Sequence, residues 1–348
     1  QAEGQQVAGQ PNFHDTAPTK GEDTAMKQRK LKYLLLLALV ALSIGLVACG
    51  SDDSESSDSG SDTTASGDLI QENADNASTT LTVGSKNFTE QIVLGEIYAQ
   101  GLEAAGYKVK TDLNLGSETI AYKALTTGEI SGYPEYISTI LTSLFPGDPE
   151  DVPGNVDEAA AAAQEELKAD GITAFAPTPF ASANAVGMLK TKAEELGVTD
   201  ISDLKGKDFT LYGSPECRQR IDCLVGLQQY YGLDPKFTPV DIGLRYEVLD
   251  KGQADASIVF TTDAQLGDSD KYVILTDDKK VLPAGNVMFL TEDSTVQSAG
   301  PDFQSTIEAV QGNLTEKVMQ ELDARVDIDK QTPAEVATQY LQEFGYIE

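Results

Sequence analysis

The 348-residue chain has no tryptophan and a single histidine, His14. That histidine precedes the only long apolar run, so everything after the run lacks imidazole. Ser-His and Cys-His nucleophilic chemistry and most zinc sites are thereby excluded, and neither a metal nor a cofactor is expected. Cysteine is nearly as scarce: Cys49 ends the apolar run, and Cys217 and Cys223 stand close together far downstream. Basic residues are also few, with 25 Lys and Arg against 56 Asp and Glu, for a net charge of −31 at pH 7. No basic stripe is left to hold nucleic acid. The acidic charge is spread along the chain, which favours solubility and says little about a ligand.

The one long apolar run decides the compartment. Met26-Lys27-Gln28-Arg29-Lys30 is a basic start, Leu31 to Val47 is almost wholly apolar, and Leu46-Val47-Ala48-Cys49 closes it with small residues before a cysteine. This is the pattern of a secretion signal over residues 26–48 ending in a lipobox. Cys49 is then the lipid attachment and the new N-terminus, anchored by several acyl chains. An uncleaved membrane helix is the alternative, but the run is short for a span and carries the cleavage pattern at its end. The protein is expected outside the cytoplasm, lipid-anchored to the cell membrane. Residues 1–25 read as an upstream extension. Residues 49–80, rich in Ser, Asp and Thr, read as a flexible tether that stands the domain off by roughly 30 Å. In that compartment Cys217 and Cys223 are expected to form a disulfide closing a short loop. A reactive thiol beside Arg218 and Arg220 is the alternative.

From Leu81 onward, helical and strand patterns alternate, which predicts an α/β fold with largely parallel sheets. Its first junction is dense with signals. Leu81 to Val83 end an apolar strand, Gly84-Ser85 make a turn, and Asn87 with Glu90 reads as an N-cap with its capping box. The free N–H groups of such a helix start, with Lys86 beside them, suit a carboxylate or phosphate; the plain alternative is an ordinary connection with a solvated lysine. Gln91 to Ala105 carries a core stripe of Ile92, Val93, Ile97, Tyr98, Leu102 and Ala105. Val156 to Ala169 reads as an exposed helix, and Gln331-Thr332-Pro333 as a late helix start.

An internal echo predicts two related lobes. A helical stretch ends at Gly128 and a strand at Tyr136; another helical stretch ends at Gly252 and a strand at Phe260, with 136 − 128 = 8 and 260 − 252 = 8. Thr139 follows the first aromatic, and Thr261, Thr262 and Asp263 the second. If a cleft separates the lobes, Tyr136 and Phe260 face it; otherwise they are unrelated core residues.

Four segments in this order resemble the substrate-binding lipoproteins of osmoprotectant ABC importers, the glycine betaine/carnitine/choline family. They are Val83-Gly84-Ser85-Lys86-Asn87-Phe88-Thr89-Glu90-Gln91, Tyr133-Pro134-Glu135-Tyr136 with Thr139, Tyr212-Gly213-Ser214-Pro215-Glu216 leading to Arg220, and Phe260-Thr261-Thr262-Asp263. The resemblance covers nearly all of Leu81 to Glu348. It implies a bilobed type II binding-protein fold: lobe 1 over 81–180, lobe 2 over 181–283, and a return to lobe 1 over 284–348. It implies a non-enzymatic monomer that passes a small zwitterionic solute to ABC permease subunits. Aromatic faces would hold the quaternary ammonium, each ring contributing roughly 0.5 to 2 kcal/mol. Lys86, Thr139 and Arg220 match the carboxylate-holding positions, and Tyr136 and Phe260 two of the aromatic ones. Two further cage positions depart from the pattern, with Asn184 and Gly285 where rings are expected. Asn184 and Asn286 would then accept hydrogen bonds from a ligand N–H or hydroxyl, or simply shape turns, and Tyr272 is a further candidate ring.

Overall fold

The computed structural model describes residues 68–267 and 270–348. The signal, Cys49, residues 1–25 and the tether as far as residue 67 lie outside the described residues. Among the described residues, no helix is long and apolar enough to cross a membrane.

In chain order the strands are β1 (Thr80–Gly84), β2 (Lys108–Asp112), β3 (Gly132–Tyr136), β4 (Ile172–Ala174), β5 (Ala181–Ser182), β6 (Asn184–Leu189), β7 (Thr210–Gly213), β8 (Lys236–Pro239), β9 (Ala256–Phe260), β10 (Tyr272–Ile274) and β11 (Gly285–Glu292). One sheet has the order β2-β1-β3-β11-β4, with β5 on β11; the other has β10-β6-β9-β7-β8. Read from its far edge, the second sheet repeats the first. The central strand pairs parallel on one side (β1 with β3, β7 with β9) and antiparallel on the other (β3 with β11, β9 with β6). Two α/β lobes therefore share one topology. The chain crosses between them at Ala183, between β5 and β6, and again between β10 and β11.

The echo in the sequence is this repeat. Gly128 and Gly252 follow equivalent helices, Glu118–Thr126 and Arg245–Asp250, and take left-handed φ values of 73° and 64° that a side chain would strain. The strands that follow, β3 and β9, are the central strands of their sheets, and they end at Tyr136 and Phe260.

The helix Thr89–Ala104 buries Val93, Ile97, Tyr98 and Leu102 of its expected stripe, with Ala105 just past its end, and Leu94, Gly95, Ala99 and Gly101 besides; Ile92 is only half-buried. It is covered on most sides, Glu103 remaining exposed, because the helices Pro301–Gln311, Glu316–Asp327 and Pro333–Glu343 pack over it, the last beginning at a Thr332–Glu335 capping box. At about 1.5–3 kcal/mol for each large side chain removed from water, this packing makes a rigid base for the residues just before the helix. The helix Val156–Leu167 is exposed on one side only, since Ala159, Ala163 and Leu167 are buried at a spacing of four.

Three expectations need correction. The sheets are mixed rather than largely parallel: four strand pairings are parallel and five antiparallel among the described residues, because β6 and β11 arrive from the other lobe and run against the central strands. The helix after β1 has Phe88, not Asn87, at its N-cap, and no side chain caps it. Asn87 is exposed, its N–H bonds to the Gly116 carbonyl, and Gln91 closes the turn by accepting from the Lys86 N–H at 3.3 Å. Glu90, expected in the capping box, turns inward. The tether also ends sooner than residue 80. Residues Ala74–Ser78 form a helical turn capped by Asn73, Asn76 is buried and donates to the Ala105 carbonyl, and Ile70 donates to Tyr346. Hydrogen bonds, with Ile70 as the one apolar side chain packed on the core, hold this stretch, which is why composition misreads it.

Candidate functional site

A cavity lies where the C-terminal ends of β1, β3, β7 and β9 meet the crossing segment Ser182-Ala183-Asn184. Traced by the centre of a water molecule its volume is about 60 Å³. At about 10–15 Å³ per water on that measure, it holds a handful of waters or one small solute.

Three rings line it. Phe88 lies nearly parallel to Tyr136, with centres 6.2 Å apart, and tilts against Phe260 at 4.8 Å. Each ring is backed by a cation the protein already neutralises. The Lys86 ammonium sits 4.6 Å from the Tyr136 ring centre and 5.7 Å from that of Phe88, and its partner is the buried Glu135 carboxylate on β3. The Arg245 guanidinium sits 4.4 Å from the Phe260 ring centre and pairs with buried Asp263. Burial and the Glu90 charge hold the Tyr136 phenol well above its ordinary range, so it stays a donor, to Glu90.

Arg220 faces the first lobe, which carries Phe88 and Tyr136, from the second lobe. Its Nε donates to Asp222 at 2.8 Å and its Nη2 at 2.5 Å, while longer contacts reach Glu118 (3.5 Å) and Thr139 (3.4 Å) on the first lobe. Burial pulls the guanidinium down, but Asp222 and then Glu118 outweigh it and hold it above its usual value. The loop that carries Arg220 and Asp222 is closed by the expected Cys217–Cys223 disulfide, Cα atoms 5.2 Å apart. That bond removes the reactive-thiol alternative. Asn184 donates to the Asp222 carbonyl at 2.9 Å, and its amide oxygen accepts no hydrogen bond among the described residues.

The cavity thus brings together Lys86, Tyr136, Thr139, Asn184, Arg220 and Phe260. Asn286 is not with them: its amide donates to the Thr178 carbonyl at 2.8 Å, outside the cavity wall. No ring can replace Gly285, because a Cβ there would fall 2.5 Å from Ser138 Oγ and 2.6 Å from Ser138 N. Tyr272 also stays away, bonded to Asp250 and edge-on to Tyr246 in the second lobe. The third ring is Phe88, which lay unweighed beside Lys86 in the first motif. Arg245, Glu118 and Asp222 were missed as well. The i and i+2 spacing of Arg220 and Asp222 was the available signal for the last.

What can the wall hold? Lys86 and Arg245 are neutralised by Glu135 and Asp263 behind the wall, and Arg220 by Asp222 and Glu118, with Glu216 a further acid on the lining. There is no net pull on a bare anion, so a neutral zwitterion or a cation fits better. Donors remain for a carboxylate: an ammonium has three N–H groups and a guanidinium five, of which Lys86 uses one and Arg220 two at full strength.

A family model described as the substrate binding domain of ABC-type glycine betaine transport systems matches residues 79–343. A glycine-betaine-binding protein of Pseudomonas aeruginosa is 34% identical over 286 residues, covering 76% of this chain and 88% of that protein. An ergothioneine transport permease/ergothioneine binding protein of Helicobacter pylori is 26% identical over 269 residues, 76% of this chain and 48% of that protein. Among solved structures, a glycine betaine/carnitine/choline ABC transporter is similar with a TM-score of 0.61 and 25% identity, covering 77% of this chain and all of that one. With the match spanning both lobes and the cavity between them, the chain belongs to the family of substrate-binding domains of ABC-type glycine betaine transport systems.

Proposed function

We propose that the protein is a non-enzymatic solute receptor, lipid-anchored through Cys49 outside the cytoplasm, that captures a small zwitterion and delivers it to an ABC importer as a monomer. Glycine betaine or a close quaternary amine is the solute. The observation that carries this reading is the placing of Phe88, Tyr136 and Phe260 on one cavity with Lys86, Thr139 and Arg220. A trimethylammonium group has no N–H to satisfy, so ring faces attract it without a desolvated counter-ion. A carboxylate at the other end takes the remaining donors of Lys86 and Arg220. In this reading residues 81–180 and 284–348 make one lobe and 181–283 the other, closing over the solute. The Pseudomonas aeruginosa relative, named for glycine betaine, supports the choice. The thiol that an enzymatic alternative would use is taken up, because Cys217 is bonded to Cys223.

One observation favours a second solute class. Asn184 presents an amide oxygen where the family pattern expects a ring, which suits an amine that keeps an N–H or bears a hydroxyl. Isothermal titration with glycine betaine, carnitine, proline betaine, dimethylglycine, choline and amino acids separates the two. Heat from the fully methylated zwitterions supports the first reading, and tighter dimethylglycine the second. No heat from any of them at millimolar concentration refutes both.

A further inference from the structure

Glu90 does not line the cavity, yet it holds one of the rings that does. Its carboxyl is buried; one oxygen accepts the Tyr136 hydroxyl, and the other, Oε2, is enclosed without a hydrogen-bond partner. Thr262 approaches it, but that hydroxyl is shared with Ser182 at 2.9 Å. A second buried carboxyl with an enclosed, unpartnered oxygen, Asp323 Oδ1, belongs to the same cluster. The groups that bear on the two come from every element packed there: Tyr136 at the end of β3, Asp263 after β9, Arg245 from the second lobe, and Asp327 with Asp323 on the helix Glu316–Asp327. Arg245 is the one cation of this set, and it is committed to Asp263. Asp327 accepts from Thr89 at 2.7 Å. One oxygen of each carboxyl, Glu90 Oε2 and Asp323 Oδ1, is left facing no donor.

An ionised carboxylate oxygen buried without a donor costs several kcal/mol, and the group protonates instead. We propose that Glu90 and Asp323 are proton-holding positioning residues: their protonated forms let the Tyr136 ring, the Thr262–Asp263 corner and the helix Glu316–Asp327 pack together, and ionisation loosens cleft closure and weakens solute affinity. Burial, ahead of the Asp263 charge, pushes the Glu90 carboxyl up to about 7. Burial and then the Glu90 charge hold Asp323 well above the usual carboxylate range. Parting the lobes admits water and removes the Asp263 charge, which outweigh the loss of the Thr262 hydrogen bond and the Arg245 charge and lower Glu90 towards an ordinary value of about 4.3. The closed state therefore holds the proton more tightly. Closure is favoured most below about 4.3, weakens as pH rises to about 7, and levels off beyond.

The effect on affinity rests on the zwitterion reading, so two measurements are paired. Glycine betaine is titrated calorimetrically into the native protein, Glu90→Gln and Asp323→Asn between about pH 5.5 and 8.5, in buffers of different ionisation heat. Native affinity is expected to fall by up to about ten-fold per pH unit until about pH 7, with close to one proton taken up on binding at the acid end. Glu90→Gln should flatten the profile and abolish the uptake, binding at pH 8 as the native protein does when protonated; Asp323→Asn should make the slope shallower. A flat native profile, or a native slope kept by Glu90→Gln, overturns the proposal. Thermal unfolding without solute gives the second reading: Glu90 and Asp323 lie on helices of one lobe and stay together when the lobes part, so the native Tm should still fall relative to that of Glu90→Gln as pH rises towards about 7 and run parallel to it beyond. Tm profiles parallel over the whole pH range overturn the proposal as well. Absence of betaine heat at every pH would refute the solute reading alone, with the unfolding difference still standing.

Discussion

Replacing Arg220 by alanine tests the clamp and exposes a duty that its sequence position does not reveal. Its side chain is 16% exposed, and the carboxylates it serves, Asp222 and Glu118, are 4% and 7% exposed. Removing the guanidinium leaves both nearly buried acids without their cation. Breaking a buried pair from one side costs about 3–5 kcal/mol. The Glu118 contact is long at 3.5 Å and the disulfide keeps the loop closed, so the lower end, about 3 kcal/mol of folding stability, is expected. Solute affinity should fall independently, by about 2–5 kcal/mol or roughly 30- to several-thousand-fold, because a carboxylate loses its charged partner. The double variant Arg220→Ala with Asp222→Asn separates the two effects: it removes the orphaned charge, so thermal unfolding should recover most of the lost stability while titration calorimetry still shows weak binding. Recovery of affinity together with stability would show that Arg220 serves only to neutralise Asp222. An Arg220→Ala protein unchanged in both respects would refute its placement altogether.

Phe88→Ala should weaken binding of a quaternary amine by about 1–2 kcal/mol, since it removes a ring that packs on both Tyr136 and Phe260, and Phe88→Tyr should restore it; calorimetric Kd values decide. Gly285→Ala should destabilise the protein by about 1–3 kcal/mol, because the added methyl meets Ser138, including its backbone nitrogen, at 2.5–2.6 Å; an unchanged Tm would contradict that packing.

Much of the fold was legible because it is written in short periods. The glycine-to-aromatic spacing marks the central strand of each lobe, since a left-handed turn and a strand of fixed length must both fit between helix end and cleft. The Thr332 helix start is likewise a local signal. The site was only partly legible. Lys86, Tyr136, Thr139, Asn184, Arg220 and Phe260 stand together as their motifs implied, but what each is bonded to depends on segments far away in sequence. Glu90 three residues after Asn87 has the spacing of a capping box, yet the tertiary pull of Tyr136 turns it inward. Phe88 becomes a cage ring only because the second lobe brings Phe260 to it. Asn286 sits next to a true cleft strand, but its pairing with Thr178 takes it out of the site. Arg220 matched a carboxylate-holding position in the sequence, and its contacts with Asp222 and Glu118 make it structural as well.

Glycine betaine and choline share the trimethylammonium group and differ in the carboxylate, so their affinities for the native protein, measured side by side by calorimetry, test the account most directly. A clamp made by Lys86 and Arg220 predicts that betaine binds and that choline binds at least about ten-fold more weakly, the worth of one charge-assisted pair. Equal affinity, or tighter choline, would contradict it and leave the rings alone as the site of recognition.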